Sequence, residues 1–200
     1  MSLDSFSGRM IIGFSSRVRR QRRQRTIRRW VTPAVVALLA GLIASAITEL
    51  LPVAASRLFT SGDQLVGRAS VIDGDTIEIA GTRIRLNGID APESRQTCSR
   101  ANGSTWRCGQ HAARALDELI SAHQPVHCDV TGTDRYGRAI ADCRASDIDL
   151  ADWLVRNGLA LDWPRYSGGR HQAAQREASE ARRGIWQGKF TEPWVWRRRG

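Results

Sequence analysis

Arg83-Ile84-Arg85-Leu86-Asn87-Gly88-Ile89-Asp90-Ala91-Pro92-Glu93 is the stretch on which the reading of the fold turns. Arg83 to Asn87 alternates charged or polar with aliphatic residues, the period-2 pattern of a half-buried strand. Asp90-Ala91-Pro92-Glu93 leaves the sheet, because Pro92 has no N–H to give to a ladder. Upstream, Leu65 to Ile72 alternates as a strand and Asp73-Gly74-Asp75 signals a turn. Thr76 to Ala80 follows, with Ile77 and Ile79 on one face, and Gly81-Thr82 turns the chain back. Three closely spaced strands with short turns make a β-meander.

Downstream, residues 94–108 read as a polar loop. Gln110 to Ala122 carries a helical pattern, with Ala112, Ala115, Leu116, Leu119 and Ile120 on one side. Pro125–Val130 and Arg138–Cys143 form a hairpin about the turn Asp134-Arg135-Tyr136-Gly137. A second helix spans Asp147–Asn157 and ends at Gly158. A third spans His171–Arg183, between Ser167-Gly168-Gly169 and Gly184. This order predicts an α+β domain: a five-stranded OB-type β-barrel with about three helices. Such a barrel does not by itself establish a function.

The charge is unevenly placed. Residues 1–30 hold nine arginines against one acid, Asp4, and residues 31–55 hold only Glu49. Residues 56–200 keep 21 basic and 18 acidic side chains, so the basic balance describes the leader rather than the domain. A nucleic-acid footprint should cover the folded domain, and net charge is therefore no argument for one. The arginine-rich segment, 1–29, precedes an apolar segment, 30–51, whose uncharged part runs from Trp30 to Thr48. At about 1.5 Å per residue that part nearly spans a hydrocarbon core of roughly 30 Å. The arrangement predicts one N-terminal transmembrane helix, with the arginines cytoplasmic and the domain beyond the membrane on the periplasmic or extracytoplasmic side. The alternative is a signal segment cleaved near Ala55, which would leave a secreted protein. Residues 52–63 read as a linker.

All four cysteines lie beyond the apolar segment, with no Cys-x-x-Cys pair among them. Two disulfides fit the translocated side of a membrane better than a zinc site does. Cys128 and Cys143 share a midpoint with the turn at 134–137, so in a regular hairpin they face each other at bridging distance. Cys98 and Cys108 then pair by elimination. Four free buried thiols are the alternative. His111, His123, His127 and His171 show no ligand-like grouping. Trp194, Trp196 and the following Arg197-Arg198-Arg199 read as a solvated basic aromatic tail, 189–200, with contact to nucleic acid or membrane as the alternative.

Four acids, Asp73, Asp75, Asp90 and Glu93, sit near strand ends, and Arg85 and Arg138 lie in or beside strands. Phosphodiester hydrolysis uses such a set. Carboxylates hold a hard cation, another carboxylate directs the attacking water, and guanidinium groups clamp the phosphate as charge builds. Taken singly, each element also reads as an ordinary turn or strand residue.

Together they carry a resemblance. Val71-Ile72-Asp73-Gly74-Asp75-Thr76, Arg83 to Glu93, and Asp134-Arg135-Tyr136-Gly137-Arg138 resemble three signatures of the staphylococcal nuclease (thermonuclease) family, in order and at compatible spacing. Asn157-Gly158-Leu159-Ala160 and Arg183-Gly184-Ile185-Trp186 resemble its later segments, so the similarity covers roughly 64–188. The resemblance implies a calcium-dependent nuclease acting on DNA and, as a second substrate, RNA, by endonucleolytic cutting that leaves a 3′-phosphate. It implies that Asp75, Asp90 and the Ala91 backbone carbonyl bind Ca²⁺. Glu93 directs the water, and Arg85 and Arg138 bind the scissile phosphate. Asp73 shapes its turn and Asp134 holds the hairpin. Tyr136 and Tyr166 are candidates for stacking on, or hydrogen-bonding to, a nucleotide. Ala91 departs from the threonine of the family prototype, and the Arg95–Arg107 segment is longer than the prototype's. The rival reading is a catalytically inactive OB-type binding module of the cell envelope, recognising nucleic acid, polysaccharide or a protein.

Overall fold

The computed structural model of the protein describes residues 59–199. The arginine-rich segment 1–29, the apolar segment 30–51 and the linker up to residue 58 lie outside the described residues. Among the described residues no helix is long and apolar enough to cross a membrane.

The strands are β1 (Gln64–Gly67), β2 (Ala69–Asp73), β3 (Thr76–Ile79), β4 (Thr82–Leu86), β5 (Ile89–Asp90), β6 (Cys98–Ser99), β7 (Thr105–Trp106), β8 (Val126–Thr133), β9 (Ala139–Ala145), β10 (Ile148–Asp149) and β11 (Leu161–Asp162). The helices are α1 (Cys108–Ala122), α2 (Leu150–Arg156), α3 (Pro164–Ser167), α4 (Gln172–Glu180) and α5 (Pro193–Arg199). A 3₁₀ turn, Gly184–Gln187, lies between α4 and α5. The main sheet runs β1-β8-β9-β4-β3-β2, with β10 added on β9. Only β4 and β9 are parallel, pairing Ile84 with Ala139 and Leu86 with Ala141. β1 and β2 stand at opposite ends of this path, yet only Arg68 separates them in the chain. The sheet therefore curls, and the chain itself joins its two ends.

The five long runs expected as strands are present, with the first broken at Arg68 into β1 and β2. Alternation sorts their faces. On β4, Ile84 and Leu86 are buried while Arg83 and Arg85 point away from the core. On β9, Ala139, Ala141, Cys143 and Ala145 point inward. Helix α1 covers β2 with Ala112, Leu116 and Ile120 fully buried, and Ala115 and Leu119 pack at the edge of the same core. Truncating a fully buried leucine such as Leu116 or Leu154 to alanine costs about 2–5 kcal/mol in such a setting.

The boundaries moved for local reasons. Helix α2 starts at Leu150 rather than 147, because Ile148–Asp149 first pairs with β9 and Asp149 then caps the helix, accepting from the Asp152 N–H at 2.9 Å. Gly158, expected as a helix end, has φ +64°. A Cβ there would also overlap the Arg183 carbonyl, so glycine lets two segments touch. Residues 94–108 are not a plain loop: Cys98–Ser99 and Thr105–Trp106 form a short hairpin, and α1 begins at Cys108. The described residues hold five α-helices instead of about three. The unexpected pair, α3 and α5, each begins with a proline and runs four and seven residues, too short to show helical periodicity.

Both disulfides, Cys128–Cys143 and Cys98–Cys108, are present. The hairpin is not the regular one assumed. Its turn closes one residue late, with Thr133 opposite Ala139, and a bulge between Val130 and Gly132 restores the register that places Cys128 opposite Cys143. The two irregularities cancel.

Cys98 and Cys108 belong to a second, smaller core with Leu161 and Ile185, flanked by Trp106, Trp186, Phe190 and Trp194. The C-terminal segment is thus packed, and the expectation of a solvated tail is corrected. Phe190 and Trp194 complete a cluster that also draws Trp106 from the Cys98–Cys108 loop, Leu161 from β11, and Ile185 and Trp186 from the 3₁₀ turn.

Candidate active site

A cleft of about 740 Å³ opens on the face of the sheet away from the core. Asp75, Arg85, Ala91, Glu93, Tyr136, Arg138 and Tyr166 all line it, so the structure brings the sequence-derived candidates together. Asp90 does not reach the cleft surface: it is 0% exposed, beneath the lining.

Asp75 sits in the tight turn between β2 and β3, where its N–H donates to Asp73 Oδ1 at 3.1 Å. Asp73 thus shapes the turn, as expected. Asp75 Oδ1 accepts from Arg85 Nη1 at 2.7 Å, and Oδ2 accepts from the Ala91 N–H at 3.0 Å. The contact that Ala91 makes with this carboxylate is through its amide. Arg85 Nη2 donates to Asp90 Oδ1 at 2.8 Å, so one planar guanidinium bridges the two buried carboxylates.

Burial pushes the Asp75 carboxyl up to about 7; Arg85 and the Ala91 amide pull it down, while Asp73 and Asp90 add to the rise. Burial also works against the charge of Arg85, but Asp75 and Asp90 outweigh it. This is the electrostatics of a carboxylate short of positive charge.

Glu93 lies at the rim, its side chain 39% exposed. Its backbone is tied down on both sides: its N–H donates to Gln96 Oε1 at 3.1 Å and its carbonyl accepts from the Gln96 N–H at 2.7 Å. The first turn of α1 presses on the same carbonyl at Gly109, where any Cβ would overlap the Glu93 oxygen. Arg138 stands at the end of the β8–β9 turn. Asp134 accepts from its Nε at 2.7 Å and from the Tyr136 and Arg138 N–H groups at 2.9 and 3.0 Å. Although burial works the other way, these bonds hold the Asp134 carboxyl below its usual range. Asp134 therefore braces the hairpin and aims Arg138, in keeping with the structural role expected of it. Tyr136 and Tyr166 are 70% and 54% exposed, aromatic faces open to the cleft.

Two lining residues escaped the sequence reading. Trp163 donates its backbone N–H to the Gly88 carbonyl at 2.9 Å and packs edge-on against Tyr166. Arg197, from α5, donates to both oxygens of Asp90, at 2.9 and 2.6 Å, and to Glu93 Oε1 at 2.7 Å. No local pattern marks Arg197, since 107 residues separate it from Asp90.

Asp75 and Asp90 form an all-oxygen, buried donor pair, the chemistry a hard cation takes, and the raised Asp75 carboxyl fits the same demand. Among the described residues no group of three or more acidic, His or Cys side chains is arranged to hold a metal ion. Three of the four carboxylate oxygens of Asp75 and Asp90 turn instead toward Arg85 and Arg197.

Residues 83–188 match the family described as staphylococcal nuclease homologue. A succinoglycan biosynthesis protein, ExoI, of Rhizobium meliloti (strain 1021) is 45% identical over 127 residues, 63% of this chain and 66% of that protein. An uncharacterized endonuclease of Escherichia coli O157:H7 is 32% identical over 136 residues, 64% of this chain and 82% of that protein. A probable staphylococcal-like nuclease, CAN3, of Oryza sativa subsp. japonica is 30% identical over 146 residues, 72% of this chain and 36% of that protein.

Proposed function

The chain belongs to the staphylococcal nuclease family, and from that premise we propose that it is a calcium-dependent nuclease that hydrolyses phosphodiester bonds of DNA and, as a second substrate, RNA. The observation that carries the proposal is the single cleft that collects Asp75, Arg85, Glu93 and Arg138 over the buried Asp90. The curled sheet would then be an OB-type barrel and residues 64–188 the nuclease domain.

Asp75 and Asp90, with the Ala91 carbonyl, would hold Ca²⁺. When bound, such a cation offsets phosphate charge and makes water a better nucleophile. Arg85 and Arg138 bind the non-bridging phosphate oxygens and stabilise the charge that builds on them. Glu93 orients the attacking water and takes its proton as the new P–O bond forms. The leaving ester oxygen departs with the electron pair of its broken bond to phosphorus and takes up a proton from solvent water. Tyr136 and Tyr166 offer faces for the adjoining nucleotides, a sequence-tolerant contact.

Cleavage of single- and double-stranded DNA and RNA by the oxidised full-length chain tests this. Activity should require Ca²⁺ and vanish with chelator. Absence of metal-dependent cleavage on every substrate would sink the enzyme reading and leave the binding module. That second reading draws on one observation, the pairing of both Asp90 oxygens with arginines.

We also propose that the N-terminal segment anchors the chain, with the domain outside the cytoplasm. The pairing of all four cysteines in disulfides supports this placement. A reporter fused after Gly200 should be active only outside the cytoplasm, and activity inside would reverse the topology.

A further inference from the structure

We propose that Arg197 is a built-in competitor for the divalent cation, its guanidinium and the ion alternating on the carboxylate oxygens of Asp90. This inference rests on the proposed cation site at Asp75 and Asp90.

The contact is built rather than incidental. Arg197 meets Asp90 with two nitrogens, the forked geometry that matches a carboxylate. Asp90 is 0% exposed, so no water shell stands in for a lost partner. Helix α5 delivers the arginine from a seated position. Pro193 is buried, Trp194 packs in the smaller core and stacks on Trp163 at 6.1 Å between ring centroids, and Gln96 Nε2 donates to the Thr191 carbonyl at 2.6 Å. The Arg197 guanidinium itself lies 5.8 Å from the Trp163 ring centre. A side chain tethered this way meets Asp90 at high effective concentration, unlike a free surface arginine.

Arg197 occupies Asp90 Oδ2 and joins Arg85 at Oδ1, so a divalent ion entering there meets a second positive group that repels it strongly where water is excluded. Three carboxylates, Asp75, Asp90 and Glu93, face two guanidinium groups, Arg85 and Arg197. Withdrawing Arg197 leaves the carboxylates in larger excess, a stronger trap for a divalent ion. The side chain is 36% exposed, so it can swing to solvent without unseating Trp194. Cation binding would thus be held to high concentrations by a residue outside the ligand set.

Calorimetric titration of the full-length chain with CaCl₂ tests the proposal, comparing wild type with Arg197→Gln and Arg197→Lys. Calcium should bind the Gln variant about tenfold more tightly, the factor equivalent to 1.4 kcal/mol of lost competition. The Lys variant, which keeps the charge but not the fork, should fall between. Thermal unfolding supplies a second reading. In chelator the Gln variant should melt below wild type, and Ca²⁺ should raise its Tm by more. Unchanged or weaker calcium affinity in the folded variants would overturn the proposal, as would absence of calcium binding in all three proteins. Cleavage is scored separately. Calcium-dependent cleavage with affinity indifferent to Arg197 overturns this inference alone, whereas tightening without cleavage overturns the nuclease reading alone.

Discussion

Arg85→Ala should cut phosphodiester cleavage by about 10²–10³-fold and destabilise the folded chain by about 3–5 kcal/mol. The two losses have one origin. Arg85 is the guanidinium that bridges Asp75 and Asp90, with donor distances of 2.7 and 2.8 Å. Its removal takes away a phosphate clamp and also leaves buried carboxylates short of positive charge. The stability loss has a direction in pH. The Asp75 carboxyl already sits at about 7, because burial outweighs Arg85 and the Ala91 amide. Unfolded, it would titrate near 3.9. A group raised in the folded state contributes stability that is present below its unfolded value and lost as pH rises through its folded value. Deleting Arg85 removes the largest influence that lowers Asp75, so the variant should lose stability further as pH climbs. Urea unfolding in chelator should show a larger deficit at pH 8.5 than at pH 5.5. Equal deficits would mean that the bridged pair is not the source.

Glu93→Gln should behave in the opposite way: a fall in single-turnover cleavage of about 10²–10⁴-fold, with stability within about 0.5 kcal/mol of wild type. Glu93 is at the rim, and its backbone is held by Gln96 and by the approach of Gly109 rather than by its carboxylate. Glutamine keeps the shape and still accepts from Arg197. It loses the negative charge and, with it, the capacity to take a proton. Nucleic-acid affinity at saturating Ca²⁺ should persist, since Arg85 and Arg138 remain. A fully active Gln variant would remove Glu93 from proton transfer. The pair of variants therefore separates a side chain that supports structure and site from one that serves chemistry.

Much of this was legible because it is local. Alternation in Arg83 to Leu86 places Ile84 and Leu86 in the core and turns Arg85 out toward the cleft. Asp73-Gly74-Asp75 marks a turn that holds its own carboxylate. Asp134 sits where its side chain can cap the turn it begins. Symmetry about the turn pairs Cys128 with Cys143, although the hairpin reaches that register through a late turn and a compensating bulge.

Sequence alone was enough for the five long strands and their turns, since each follows from period-2 or turn chemistry among residues a few positions apart; the acid–arginine set rests on the resemblance of three ordered signatures. Nothing within the basic C-terminus itself distinguishes a solvated tail from a packed helix. Trp194 needs Trp163 and the Cys98–Cys108 loop to bury against. Only the tertiary structure decided that Arg197, 107 residues from Asp90 in the chain, would share that carboxylate with Arg85. Burial there leaves Asp90 no water to turn to, so whichever cation the fold delivers becomes its partner.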